Sequence, residues 1–140
     1  MNLNQYKLTE RAESGSNVVI VDPYTSEPIK QDNGSAVVIR VLGKDSTAFR
    51  KKEHEIAARI SNRHIRRKGK DITADDLDIA DREKSELLAA VTVGWSGIDL
   101  GNGPVEFSQN AARELYNEHN WIRDQVDVFV GDRANFFTKP

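Results

Sequence analysis

The 140-residue chain contains no cysteine, which excludes disulfide bridges, thiolate metal sites and thiol redox chemistry, and suits a reducing compartment. It also lacks an excess of either charge. Twenty Lys and Arg face 22 Asp and Glu, for a net charge of -2, so neither a general nucleic-acid field nor an acidic tail is present and any partner is selected locally. No apolar run approaches the ~20 residues of a membrane-spanning helix. The polar start "MNLNQYKLTERAESGSN" has no apolar core of a secretory signal, so the expectation is a soluble, intracellular chain without contact to a membrane. Internal repeats and low-complexity tracts are absent as well. At this length the chain fits one domain that buries roughly two-thirds of its unfolded surface.

The pattern that remains predicts an α+β fold. Residues 1 to 16 carry only scattered apolar side chains and read as a flexible N-terminal arm; residues 17 to 140 read as a single domain. "NVVIVDPYTSEPI" predicts a strand over about Val18–Asp22, stopped by Pro23, and "SAVVIRVLG" predicts a second over about Ala36–Leu42. Asp22-Pro23, Glu27-Pro28 and Asn33-Gly34 mark turns between them, giving an antiparallel β-hairpin with a long connection.

About four α-helices are expected to follow. Asp45 or Ser46 can cap the first, which runs through "STAFRKKEHEIAARISNRHIRRK" and stops at Gly69. "TADD" at 73 to 76 has the form of a capping box for the second, expected to end near Gly94. Ser108 and Asn120 are candidate caps for the last two. Before them, "GWSGIDLGNGPVEFS" predicts a glycine-rich loop whose ends are anchored by Trp95 and Phe107, with the glycines serving turns.

Catalytic and cofactor-binding patterns are not found. "GNGP" lacks the Lys-Ser/Thr of a phosphate-binding P-loop. "DITADDLDIADRE" places Asp76 where a calcium loop needs Gly, and Arg82 where it needs a bidentate Glu. His54, His64 and His119 do not form a zinc-binding pattern, and Ser96 and Ser108 have turn and cap neighbours, not those of a nucleophile. The expectation is a protein that is no enzyme and carries no cofactor or metal.

Two features suggest binding. Arg59, Arg63, Arg66, Arg67, Lys68 and Lys70 form a local basic cluster that could contact phosphates, although it lacks stacking aromatics. The hairpin is apolar on both faces: "VVIV" is unbroken and "VVIRVL" is interrupted only by Arg40. Helices on one side would leave Val19, Val21, Val37, Ile39 and Val41 with a face or an edge for a neighbour, and predict self-association or partner binding. Trp95, Phe107, Trp121, Phe136 and Phe137 are further candidates for core or contact surface.

Taken in order, "DPYTSEP", "KDSTAFRK", "DITADDL", "GWSGI…NGPVEFSQNAARELY" and "WIRDQVDVFVGDRANF" resemble the tail assembly chaperone-like proteins of long-tailed bacteriophages over roughly residues 18 to 137. The C-terminal half, from Trp95 through Phe107, Ser108, Tyr116 and Gln125 to Arg133 and Phe136, is the strongest part. The resemblance implies a non-enzymatic protein of virion assembly in the host cytoplasm. Such a protein binds the tape-measure protein, keeps it soluble, helps recruit tail-tube protein, forms homo-oligomers and is absent from the mature virion. This chain departs from the pattern at Ser26, where Gly is expected, at Arg40, and in the basic stretch 63–70. A nucleic-acid-binding protein using segment 59–70 and a structural minor tail component are the competing readings.

Overall fold

The computed structural model describes residues 1–67 and 71–137. A short 3-10 turn at Leu3–Gln5 precedes α1 (Leu8–Ser14), β1 (Ser16–Val19), β2 (Val38–Val41), α2 (Thr47–Arg67), α3 (Ala74–Val91), β3 (Thr92–Ser96), α4 (Gln109–Glu118) and α5 (Asn120–Gly131). A second 3-10 turn follows at Arg133–Phe136. The three strands form one antiparallel sheet in the order β1-β2-β3. The fold is α+β, as the sequence predicts.

The strands alternate as a half-covered sheet must. Val18, Ile39, Val41 and Thr92 point to one face and are buried, joined beyond the strand ends by Ile20 and Val37. They meet Leu88 and Val91 of α3, Leu115 and Tyr116 of α4, and Val126 and Val130 of α5. On the opposite face Asn17, Val19, Arg40 and Ser96 are exposed and Val38 is half-buried. The β1–β2 connection is itself folded: Ile29 donates its N–H to Ile20 O at 3.0 Å and accepts from Val37 N at 3.0 Å, so the long loop doubles back to satisfy the strand ends.

β3 corrects the expectation that α3 runs on to Gly94 and opens a single glycine-rich loop. The run Val91-Thr92-Val93 is β-branched, and Thr92 leaves the helix with φ -84 and ψ 127, the extended conformation such residues favour. Its hydroxyl donates to Leu88 O at 2.8 Å, satisfying a terminal helix carbonyl. β3 then pairs with β2, with a register shift between Arg40 and Val41 that sets Val93 outward, 46% exposed. Beyond the strand, Val105 N donates to Ile98 O at 2.8 Å, closing a tight excursion from which Ile98 enters the core. Gly97 opens it with φ +89, and a Cβ there would stand 2.6 Å from the Gln31 side chain, so any other residue would be strained and would have to displace Gln31.

Part of the N-terminal segment has regular structure that the sequence reading did not expect. Residues 8–14 form α1, whose Ala12 is 3% exposed and accepts a hydrogen bond from Gly43 N at 3.0 Å. Glu13 accepts from Thr47 N (3.1 Å) and Thr47 Oγ1 (2.6 Å), which lowers its pKa through the Thr47 hydrogen bonds and ties α1 to the start of α2. Ser46, not Asp45, caps α2 by accepting from Phe49 N at 3.2 Å. Asp45 instead receives two bonds from the Arg133 guanidinium, at 2.7 and 3.0 Å. The Thr73–Asp76 capping box of α3 and the Ser108 cap of α4 form as the sequence predicts. Asn120 is the first residue of α5 and not its cap, a position held by His119. Lys68, Gly69 and Lys70 lie outside the described residues.

Candidate protein-binding surface

The hairpin residues divide between two environments. Val37 (8% exposed), Ile39 (0%) and Val41 (0%) lie inside the chain's own core, which removes them from the expected contact surface. α3, α4 and α5 supply enough apolar side chains to cover the face they occupy, so that face of the sheet has no surplus. Val19 is 44% exposed, and Val21 is half-buried at the rim of the sheet.

Around these two residues the surface is apolar. β1 is an outer strand, and α5 runs beside it. Val18, Val19, Val21, Val128 and Phe129 line an open cleft between the two elements, with Asp124, Gln125 and Asn135 at its margins. Val128 is 75% exposed. It lies two residues from each of Val126 and Val130, which turn inward, so helical geometry puts it on the opposite side, away from the core. The Gln125 amide pairs with the backbone of Val21, accepting from its N–H at 2.9 Å and donating to its C=O at 2.9 Å. The side chain thus occupies the place of a neighbouring strand's peptide group.

The aromatic candidates are mainly structural. Trp95 and Phe107 meet edge to face at 5.2 Å, and the indole N–H donates to Val105 O at 2.8 Å, pinning the loop between them. Trp121 is half-buried against the core. Phe136 is 7% exposed and packs edge to face on Phe129 at 5.7 Å. Phe137 keeps 44% of its surface exposed beneath the Arg11 guanidinium, 4.5 Å from the ring centre.

The basic cluster is largely answered from within the chain. Arg59 pairs with Glu86. Arg63 grips Glu83 with two bonds, at 2.7 and 3.1 Å. Arg67 pairs with Asp76 at 2.5 Å and donates to Asp71 O at 2.6 Å. The acids all follow α2, on α3 or the segment leading to it, so the arginines zip α2 to α3 instead of presenting a phosphate-binding face. Arg66 is exposed, and Lys68 and Lys70 lie outside the described residues. The sequence conceals this ladder because α2 and α3 are separate segments whose register depends on the turn between them.

Among the described residues, no group of three or more His, Cys, Asp or Glu side chains could hold a metal ion, and no helix is long and apolar enough to cross a membrane. Val128 and Phe129 are the apolar cleft residues that sequence reasoning did not single out. The signal available was Val128 breaking the inward spacing of α5. No protein-family model, no curated protein and no solved structure matched the chain.

Proposed function

We propose that this chain is a non-catalytic assembly chaperone of a long-tailed bacteriophage, which covers apolar stretches of the tape-measure protein, keeps it soluble and supports polymerisation of tail-tube protein around it. The observation that carries the reading is the apolar cleft between β1 and α5, with Val19 and Val128 44% and 75% exposed. The ordered set of motifs shared with the tail assembly chaperone-like proteins gives that surface its client. A chaperone of this kind has to hold a long partner weakly at many points and then yield to tube subunits. A small open cleft repeated on several copies meets that need through effective concentration, without a tight single site.

Self-association in the host cytoplasm, and absence from the finished particle, belong to the same proposal. The residues that would contact the client are Val19, Val21, Val128 and Phe129, with Val37, Ile39 and Val41 left out. Co-expression with the long helical phage protein tests it: that protein is expected in the soluble fraction with this chain and in the insoluble fraction without it. Equal solubility in both cases overturns the reading.

A further inference from the structure

We infer that β1 accepts an extended segment of a partner protein as an added antiparallel strand, and that this segment carries a basic residue at its N-terminal end and an acidic residue at its C-terminal end. The inference rests on the reading of this chain as a binding protein and names the form in which a client is held. Strand pairing leaves part of β1 open. Ile20 donates to Val37 O on the β2 side and Val21 is bonded on the opposite side to Gln125, so the alternation of an antiparallel ladder turns the backbone N–H and C=O of Asn17 and Val19 away from β2. Among the described residues none hydrogen-bonds to these four groups. Such an edge is a template for another extended backbone.

The free edge is short and bounded. Gln125 closes it at Val21, and at the other end Gly15 turns the chain away with φ 79. Two outward residues admit a short extended segment. They do not offer the long edge that joins two whole sheets. Beside them, Val19, Val128 and Phe129 provide an apolar wall for one aliphatic side chain.

Charge sets direction. At the Val21 end stand Asp22 and the exposed Asp124, which has no ion-pair partner among the described residues. At the Asn17 end stands Arg40, exposed, its guanidinium donating to Asn17 Oδ1 at 3.1 Å and to Ser14 O at 2.7 Å. A strand antiparallel to β1 begins beside Asp124 and ends beside Arg40, so a cation first and an acid last are complementary. A second copy of β1 would bring Glu13 and Ser14, and no cation, to the acidic end.

The test titrates the isotope-labelled full chain with the capped peptide Lys-Val-Thr-Val-Thr-Glu, its charge-reversed form Glu-Val-Thr-Val-Thr-Lys, and the first peptide with alternate backbone nitrogens methylated. Amide shifts are expected at residues 16–21 and 124–129, with a Kd on the order of 1 mM. Charge reversal is expected to weaken binding about three- to tenfold, and methylation to abolish it. The double variant Asp124→Lys with Arg40→Glu is expected to prefer the reversed peptide. Shifts elsewhere, indifference to methylation or to charge order, no shift at about 5 mM peptide, or pairing of β1 with a second copy would overturn the inference. Should the tape-measure protein stay soluble with this chain while the peptides fail, this inference falls and the chaperone reading stands.

Discussion

Tyr116 is fully buried, and its hydroxyl lies 2.7 Å from Thr92 Oγ1. Because the Thr92 hydroxyl already donates to Leu88 O, the phenol is the donor of that pair. Burial pushes the Tyr116 phenol from its ordinary value of 10.0 up to about 12. A group whose folded pKa lies above its unfolded one adds stability in full below the unfolded value and loses it as pH rises through the folded value. Chemical unfolding midpoints are therefore expected to fall between pH about 10 and about 12, and Tyr116→Phe to remove that part of the slope. A second residue speaks to the backbone. Ser26 has φ 61, the left-handed region that glycine occupies without strain. Ser26→Gly is expected to leave the fold unchanged and to stabilise it by up to about 1 kcal/mol, read from urea midpoints. The sequence already marks this position as part of a turn, because Asp22-Pro23 and Glu27-Pro28 flank it.

Among the elements, α2 adds little to the core and is tied along its length to α3 by a ladder of ion pairs. α2 spans 21 residues, about 32 Å, yet buries only Ile56. Asp76 is held down to about 2, first by the Arg67 side chain and then by the Thr73 backbone N–H. Its contribution is present above the unfolded carboxylate value and disappears as pH falls from about 4 through about 2. The distal halves of α2 and α3 are accordingly expected to lose amide protection in that window before the sheet does. Arg63→Ala leaves Glu83, 7% exposed, with only Arg59 at 3.9 Å. Its expected cost is about 1.5–3 kcal/mol, against less than about 0.5 kcal/mol for Arg66→Ala by thermal unfolding. The capping box of α3 and the cap of α4 could be read from sequence because each is a local contact between residues three apart. β3 and the salt-bridge ladder could not, since β3 depends on a strand far earlier in the chain and the ladder depends on how the turn between α2 and α3 sets their register. Gly94 has the local character of a helix stop, and its pairing with Arg40 makes it a strand residue instead. α1 was missed because a seven-residue helix has too little intrinsic stability to leave a clear pattern, and it is held by contacts with Gly43 and Thr47.

At the scale of the whole molecule, the apolar side chains fall into a closed core and a small open remainder, and the two respond differently to mutation. Ile39→Ala is expected to cost about 2–5 kcal/mol, because its side chain is enclosed and the cavity cannot fully collapse. Val19→Lys and Val128→Lys are expected to shift the unfolding midpoint little, since neither side chain fills the core. The hairpin's stickiness was legible in its sequence, but which residues the helices would seal was not, because that depends on where β3 and α5 settle. The central claim is that the open remainder between β1 and α5 is the part of the molecule that holds a client. Its most direct measurement is the soluble fraction of the tape-measure protein co-expressed with Val19→Lys/Val128→Lys, after thermal unfolding has verified that the variant is folded. The account predicts that the tape-measure protein precipitates as though the chain were absent. Undiminished solubility with a folded variant would contradict it.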